Sequence, residues 1–180
     1  VGVAETIPDA SIDKMNILIQ HGNIIDGSGQ PAFVGDISTH DDRIQTVGVC
    51  DAPLSAYDRI IDARGAYVTP GFIDLHSHTD LAYFLPQGLR PKLMQGVTTE
   101  VTGQCGLGVA PMPRDKQRGW REQLVIGNPP LEWTWQTMAE YLHELRRHGL
   151  ESNLTPFVGH GVLRYAVRAD RSGALTDQEL

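Results

Sequence analysis

Cysteine is scarce. The 180 residues hold two, Cys50 and Cys105, too few for a disulfide framework and too far apart in sequence to suggest a bridge. A reducing, cytoplasmic setting is therefore the expectation. Basic charge is short as well: 15 Lys and Arg against 22 Asp and Glu give a formal net charge of -7. Polyanions need a basic surface, so no nucleic-acid partner is expected. No apolar run approaches the roughly 20 residues that span a bilayer, so no membrane partner is expected either. Residues 1–14 carry Glu5, Asp9 and Asp13 without the basic-then-apolar layout of a secretory signal, and read as a flexible leader. What remains is ordinary globular composition, 41% hydrophobic and 21% charged with 19 glycines. The length suits one well-buried domain, or a small domain plus part of a larger one.

From Lys14 to about Thr69 the pattern is short strands broken by turn residues. Asn16–Gln20 and Asn23–Ile25 run into the turn Asp26-Gly27-Ser28-Gly29. Val34–His40, Arg43–Val47 (period 2) and Arg59–Asp62 follow. No helical period appears, so residues 15–69 are expected to form a small β domain that buries one face. After Pro70-Gly71 apolar strands alternate with helical stretches over residues 70–180. Phe72–His76, Val97–Thr102 and Leu154–Val158 are the expected strands. Leu85–Gln95 reads as helix limited by Pro86 and Pro91. Thr134–Arg147 reads as helix from the stripe Met138, Tyr141, Leu142 and Leu145, with Gly149 as its stop. Arg114–Trp133 is a long, proline-punctuated connection. Strand–helix alternation predicts parallel strands with right-handed crossovers. Thr176-Asp177-Gln178-Glu179 fits a capping box that starts a helix, and the chain is expected to be a fragment of a longer one.

Alternate side chains of a strand share a face, so Phe72, Asp74, His76 and His78 should point one way and Ile73, Leu75 and Ser77 the other. Two imidazoles about 6–7 Å apart by strand geometry can chelate one metal ion, and imidazole suits zinc, nickel and iron. His-x-His alone is a weak pattern. At the carboxyl end of a buried parallel strand, where α/β barrels place their active sites, it is a strong one. Cys105, in Gly103-Gln104-Cys105-Gly106 just past the second strand, is a third candidate ligand. His160, in Gly159-His160-Gly161, lies after the third strand and either contacts substrate or is a structural histidine between tight turns. Asp74 and Asp80 can orient the imidazoles, although capping the next helix is the favoured role for Asp80. Cys50 is read as structural or exposed, and His21, His40, His143 and His148 as surface residues. Trp120, Trp133 and Trp135 are read as packing residues.

Together, Asn16-Ile17-Leu18-Ile19, Ile24-Ile25-Asp26-Gly27-Ser28-Gly29 and Pro70-Gly71-Phe72-Ile73-Asp74-Leu75-His76-Ser77-His78-Thr79-Asp80 resemble the opening of the metal-dependent amidohydrolase superfamily. Gly96-Val97-Thr98-Thr99 with Gly103-Gln104-Cys105-Gly106, then Trp133-Thr134-Trp135 and Val158-Gly159-His160-Gly161, are similar to its D-aminoacylase (N-acyl-D-amino-acid deacylase) branch. The resemblance covers nearly all of Met15 to Leu180. It implies an α/β fold: a small β-sandwich-type domain, then a partial (β/α)8 TIM-type barrel comprising the first three β/α units. It implies zinc (Zn2+) as cofactor and hydrolysis of the amide of an N-acyl-D-amino acid, a small-molecule substrate. Cys105 corresponds to the cysteine that replaces a carboxylated lysine of related branches. That cysteine joins two later histidines at the tight zinc, and His76 and His78 correspond to a second, weaker position. The general-base aspartate is expected beyond Leu180, so no catalytic proton-transfer residue is expected within this chain.

Two other readings stand beside this one. A truncated, non-catalytic homologue would act as an assembly or binding module, self-associating through exposed strand edges. An enzyme of another amidohydrolase branch would take its remaining half from a separate chain.

Overall fold

A computed structural model describes residues 15–86, 88–124, 131–169 and 173–179. The expected leader and the middle of the connection before Trp133 lie outside the described residues. The chain divides into two compact units, one ending at Pro70 and one beginning at Gly71.

The first unit is a five-stranded sheet of β1 (Asn16–Ile24), β2 (Phe33–His40), β3 (Arg43–Gly48), β4 (Arg59–Asp62) and β5 (Tyr67–Val68). Its order is β3-β2-β1-β4, with β5 also paired to β1. β2 runs antiparallel to β1 and β3, whereas β4 and β5 lie parallel to β1. The two runs expected on either side of His21 form one strand. The break between them is a register shift between Ile19 and Gly22, with His21 at φ 60°, as a bulge requires. Beyond β1, Ser28 N donates to Asp26 Oδ1 at 2.9 Å, closing the Asp-Gly-Ser-Gly turn. Leu18 and Ile24 are the buried apolar side chains of this unit.

The second unit holds three parallel strands in sequence order: β6 (Phe72–Asp74), β7 (Val97–Thr102) and β8 (Asn153–Pro156). Its helices are α1 (Arg90–Leu93), α2 (Gln117–Arg121), α3 (Met138–His148) and α4 (His160–Val167). β7 matches its expected span. β6 stops two residues early because Asp74 Oδ1 accepts from His76 N at 3.1 Å and turns the chain. The helix expected over Leu85–Gln95 shrinks to α1, which has Pro91 in its first turn, where a missing N–H costs nothing. α3 starts at Met138 rather than Thr134, because Thr137 caps it and Glu140 answers from the third helical position. α4 was not expected, and Gly159 is its N-cap. Glu179 does accept from Thr176 N at 2.8 Å, but the residues between them form a turn.

The connections between strands pack into an aromatic layer. Trp133 stacks on Trp135 at 5.5 Å and Phe84 on Trp135 at 5.3 Å. Two of the three buried indoles donate to carbonyls: Trp120 Nε1 to Gly108 O at 2.7 Å and Trp135 Nε1 to Val109 O at 2.9 Å, whereas Trp133 Nε1 has no partner among the described residues. Tyr141 and Leu145 of the α3 stripe join this core with Met112 and Val162. Tyr141 Oη also donates to the Asp80 carbonyl at 2.7 Å, tying α3 to the segment after β6.

The α3 cap gives a prediction of sign as well as size. Backbone N–H groups of Gln136 and Thr137 donate to Glu140 and hold its carboxyl below the ordinary 4.5. A depressed folded-state pKa stabilises above the unfolded value, and that stabilisation is lost as pH falls through the folded value. Glu140→Gln should therefore lower the thermal midpoint near pH 7 and converge on wild type as pH falls through the depressed folded-state value. Thr137→Ala should cost about 1 kcal/mol in urea unfolding.

Candidate metal centre

His76 and His78 follow β6, and Cys105 follows β7. Their ligand atoms all lie within 4.8 Å of one another. His76 Nε2 sits 3.1 Å from Cys105 Sγ, and the two imidazoles meet edge-on with centroids 5.5 Å apart. His76 and Cys105 are exposed and His78 half-buried, an open arrangement that leaves room for a further ligand or substrate. His160, the third candidate histidine, is the exposed first residue of α4 and is not part of this cluster.

The Cys105 loop has little freedom. Gly103 follows β7 at φ 75°, and a Cβ there would lie 2.1 Å from Phe157 O. From the other side, a Cβ on Gly159 would lie 2.4 Å from Leu107 O. Two glycines thus let the segments after β7 and β8 press backbone to backbone. Between them Cys105 itself adopts φ 56°, a left-handed conformation that costs a non-glycine residue about 1–2 kcal/mol. Gln104 holds the turn, donating from Nε2 to Leu75 O at 2.9 Å and accepting from Leu107 N at 2.8 Å. Strain held this firmly at a chemically capable side chain is a recurrent mark of functional sites.

On the other side of the histidines lies a polar network that the sequence reading passed over. Glu100 is a fully buried carboxylate in the middle of β7. It accepts from Ser77 Oγ at 3.1 Å, Thr79 Oγ1 at 2.5 Å, Tyr83 Oη at 3.5 Å and Lys92 Nζ. Lys92 Nζ also donates to Asp74 Oδ2 and Ser77 Oγ, both at 2.8 Å. Burial works against the Lys92 ammonium, but its bonds to Asp74 and Glu100 outweigh that and raise its pKa. The Lys92 hydrogen bond in turn pulls the Asp74 carboxyl below its ordinary value. Burial pushes the Tyr83 phenol up to about 12, opposed by Ser152 and reinforced by the Glu100 charge, so Tyr83 keeps its proton to donate. The sequence held a signal: a charged residue inside the β-branched run Val-Thr-Thr-Glu-Val-Thr is tolerated in a buried strand only with partners.

Two expectations change here. Strict alternation put Asp74 and Ser77 on opposite faces, yet both bond Lys92, because the extended geometry ends at Asp74. Asp80 does not cap a helix: the next turn, Ala82–Phe84, has Leu81 at its N-cap and no side-chain cap. Asp80 is buried, and burial pushes its carboxyl up while its own backbone N–H pulls it back down in part.

Two imidazoles and a thiol gathered beside adjacent parallel strands could hold a metal ion, and the chain belongs to the amidohydrolase family, which it matches over residues 59–173. Its relatives put it on the D-aminoacylase branch of that family. It is 37% identical over 174 residues to the N-acyl-D-aspartate deacylase of Alcaligenes xylosoxydans xylosoxydans, covering 97% of this chain and 34% of that protein. It is 36% identical over 165 residues to the D-aminoacylase of the same organism, covering 92% of this chain and 33% of that one. The crystal structure of the N-acyl-D-glutamate deacylase of Bordetella bronchiseptica, complexed with zinc and a phosphonate inhibitor, superposes with a TM-score of 0.76. That match is 34% identical and covers 93% of this chain and 34% of that one. The chain thus spans about a third of the length of the relatives it matches.

Gly103→Ala should destabilise the second unit by more than about 1 kcal/mol, since it meets both a positive φ and a backbone clash. Urea unfolding followed by tryptophan fluorescence measures it, and a wild-type midpoint would show that the close approach is not needed.

Proposed function

We propose that this chain carries part of the metal centre of a zinc-dependent hydrolase that cleaves the amide bond of N-acyl-D-amino acids, releasing a free amino acid and a carboxylate. The single observation that carries the reading is the 3.1 Å approach of His76 Nε2 to Cys105 Sγ with His78 beside them. The donor set fits zinc, which bonds imidazole nitrogen at about 2.0–2.1 Å and thiolate at about 2.3 Å. Donors spread over 4.8 Å need to close by about 1 Å around one ion of that size, within side-chain rotation for the exposed His76 and Cys105. A bound zinc supplies Lewis-acid polarisation of the amide carbonyl and a bound water of lowered pKa.

In this chain by itself, His76, His78 and Cys105 lie close enough to share one ion. By the family resemblance the histidine pair serves the weaker position, while Cys105 joins the tight one with histidines beyond Leu180. The general-base aspartate also lies beyond Leu180, so this chain by itself binds metal but does not turn over substrate. His160 and Asp80 serve as substrate-side or supporting residues, Asp80 through its burial beside His78. The three parallel strands form the opening units of a (β/α)8 barrel, with residues 15–69 contributing to a β-sandwich-type domain.

Cys105→Ala and His78→Ala should each weaken zinc binding at least about 10-fold in chelator competition. Unchanged affinity in both would remove the ligand assignment. With zinc present, the chain alone should show no turnover of N-acetyl-D-methionine. Robust hydrolysis of the D but not the L isomer would keep the activity and refute the placement of essential groups beyond Leu180.

A further inference from the structure

His76-Ser77-His78-Thr79 alternates two imidazoles with two hydroxyls, and the hydroxyls are both spoken for. Ser77 Oγ and Thr79 Oγ1 lie 2.9 Å from each other, and each donates to a different oxygen of Glu100. Lys92 grips the same Ser77 hydroxyl and the Asp74 carboxylate, whose other oxygen accepts from His76 N. The segment from Asp74 to Thr79 is therefore held at three side chains by one ion pair, its carboxylate fully buried and its ammonium half-buried. Neither imidazole nor the thiol takes part in that network.

We propose that Glu100, held by Lys92, is a positioning residue for the His76–His78 pair: by fixing Ser77 and Thr79 it sets the direction and spacing in which the two imidazoles are offered to a metal. The inference rests on the metal-binding reading above. Its physical ground is the choice of residue. Glu100 is 0% exposed, and a buried ion pair is commonly matched or bettered in stability by apolar residues of similar volume. Stability alone thus gives no reason for a carboxylate there. What an apolar side chain cannot do is accept from Ser77 and Thr79 at the same time. Those two residues flank and separate the histidines, so anchoring them restricts the backbone on both sides of His78. Metal sites lose affinity when the shell that orients their ligands is left loose.

Cobalt(II) titration of the purified protein separates positioning from stability. Cobalt reports affinity, and its visible bands report geometry and thiolate ligation. Two double variants are needed. Lys92→Met/Glu100→Leu replaces the ion pair with apolar bulk, and Ser77→Ala/Thr79→Val removes the anchored hydroxyls but leaves the pair intact. Both should keep a cooperative urea transition, at a lower midpoint for the hydroxyl variant because a buried carboxylate loses two donors, bind cobalt about 10-fold or more weakly, and shift the visible bands. Wild-type affinity and bands in a folded double variant would overturn the positioning role; should the ion-pair replacement fail to fold, the hydroxyl variant decides. A wild-type protein that shows no Cys105-dependent cobalt band would overturn the metal reading itself, and the positioning role with it.

Discussion

The second unit depends on keeping one carboxylate satisfied away from water. Glu100 is buried in the central strand of a three-stranded parallel sheet, where an unpaired charge would cost several kcal/mol. Its four partners come from three places in the chain: Ser77 and Thr79 after β6, Tyr83 in the following turn, and Lys92 on α1. Satisfying Glu100 therefore draws the segment after β6 and the short α1 helix together over β7. α1 has only four residues, too few to be stable by itself, so tertiary bonds of this kind must hold it in place.

The opposite constraint acts at Cys105. There the chain avoids side chains instead of pairing them. Gly103 and Gly159 remove the Cβ atoms that would hold the segments after β7 and β8 apart, and Cys105 is left in a left-handed conformation between them. The aromatic layer of Trp120, Trp133, Trp135 and Tyr141 backs this loop through indole bonds to Gly108 and Val109. Polar clamping on one side and glycine crossing on the other bring two imidazoles and a thiol within 4.8 Å. Neither device would suffice alone, because the histidines and the cysteine sit on different strands.

Much of this was legible in the chain. The strand β7, the boundary near Pro70-Gly71, the α3 stripe with its stop at Gly149, and the packing role of the tryptophans follow local rules of periodicity and capping. His76, His78 and Cys105 were legible as candidate ligands, since residue type and position after a strand single them out without coordinates, and the structure brings the three together. The errors fell where side-chain hydrogen bonds and burial decide. The end of β6 is set by Asp74 turning back on His76 N. The shortness of α1 reflects Pro91 and the tie to Glu100. The role of Asp80 is set by burial rather than by its place before a turn.

The sequence by itself determined which atoms are available, two imidazoles and a thiol, and carried the motifs by which the chain resembles its family. It did so because ligand chemistry resides in side-chain type and strand periodicity is local. Tertiary structure alone decided that Cys105, 29 residues from His76, meets the histidines. It alone gave Glu100 a role, because a buried charge acquires one only from the partners that folding brings to it.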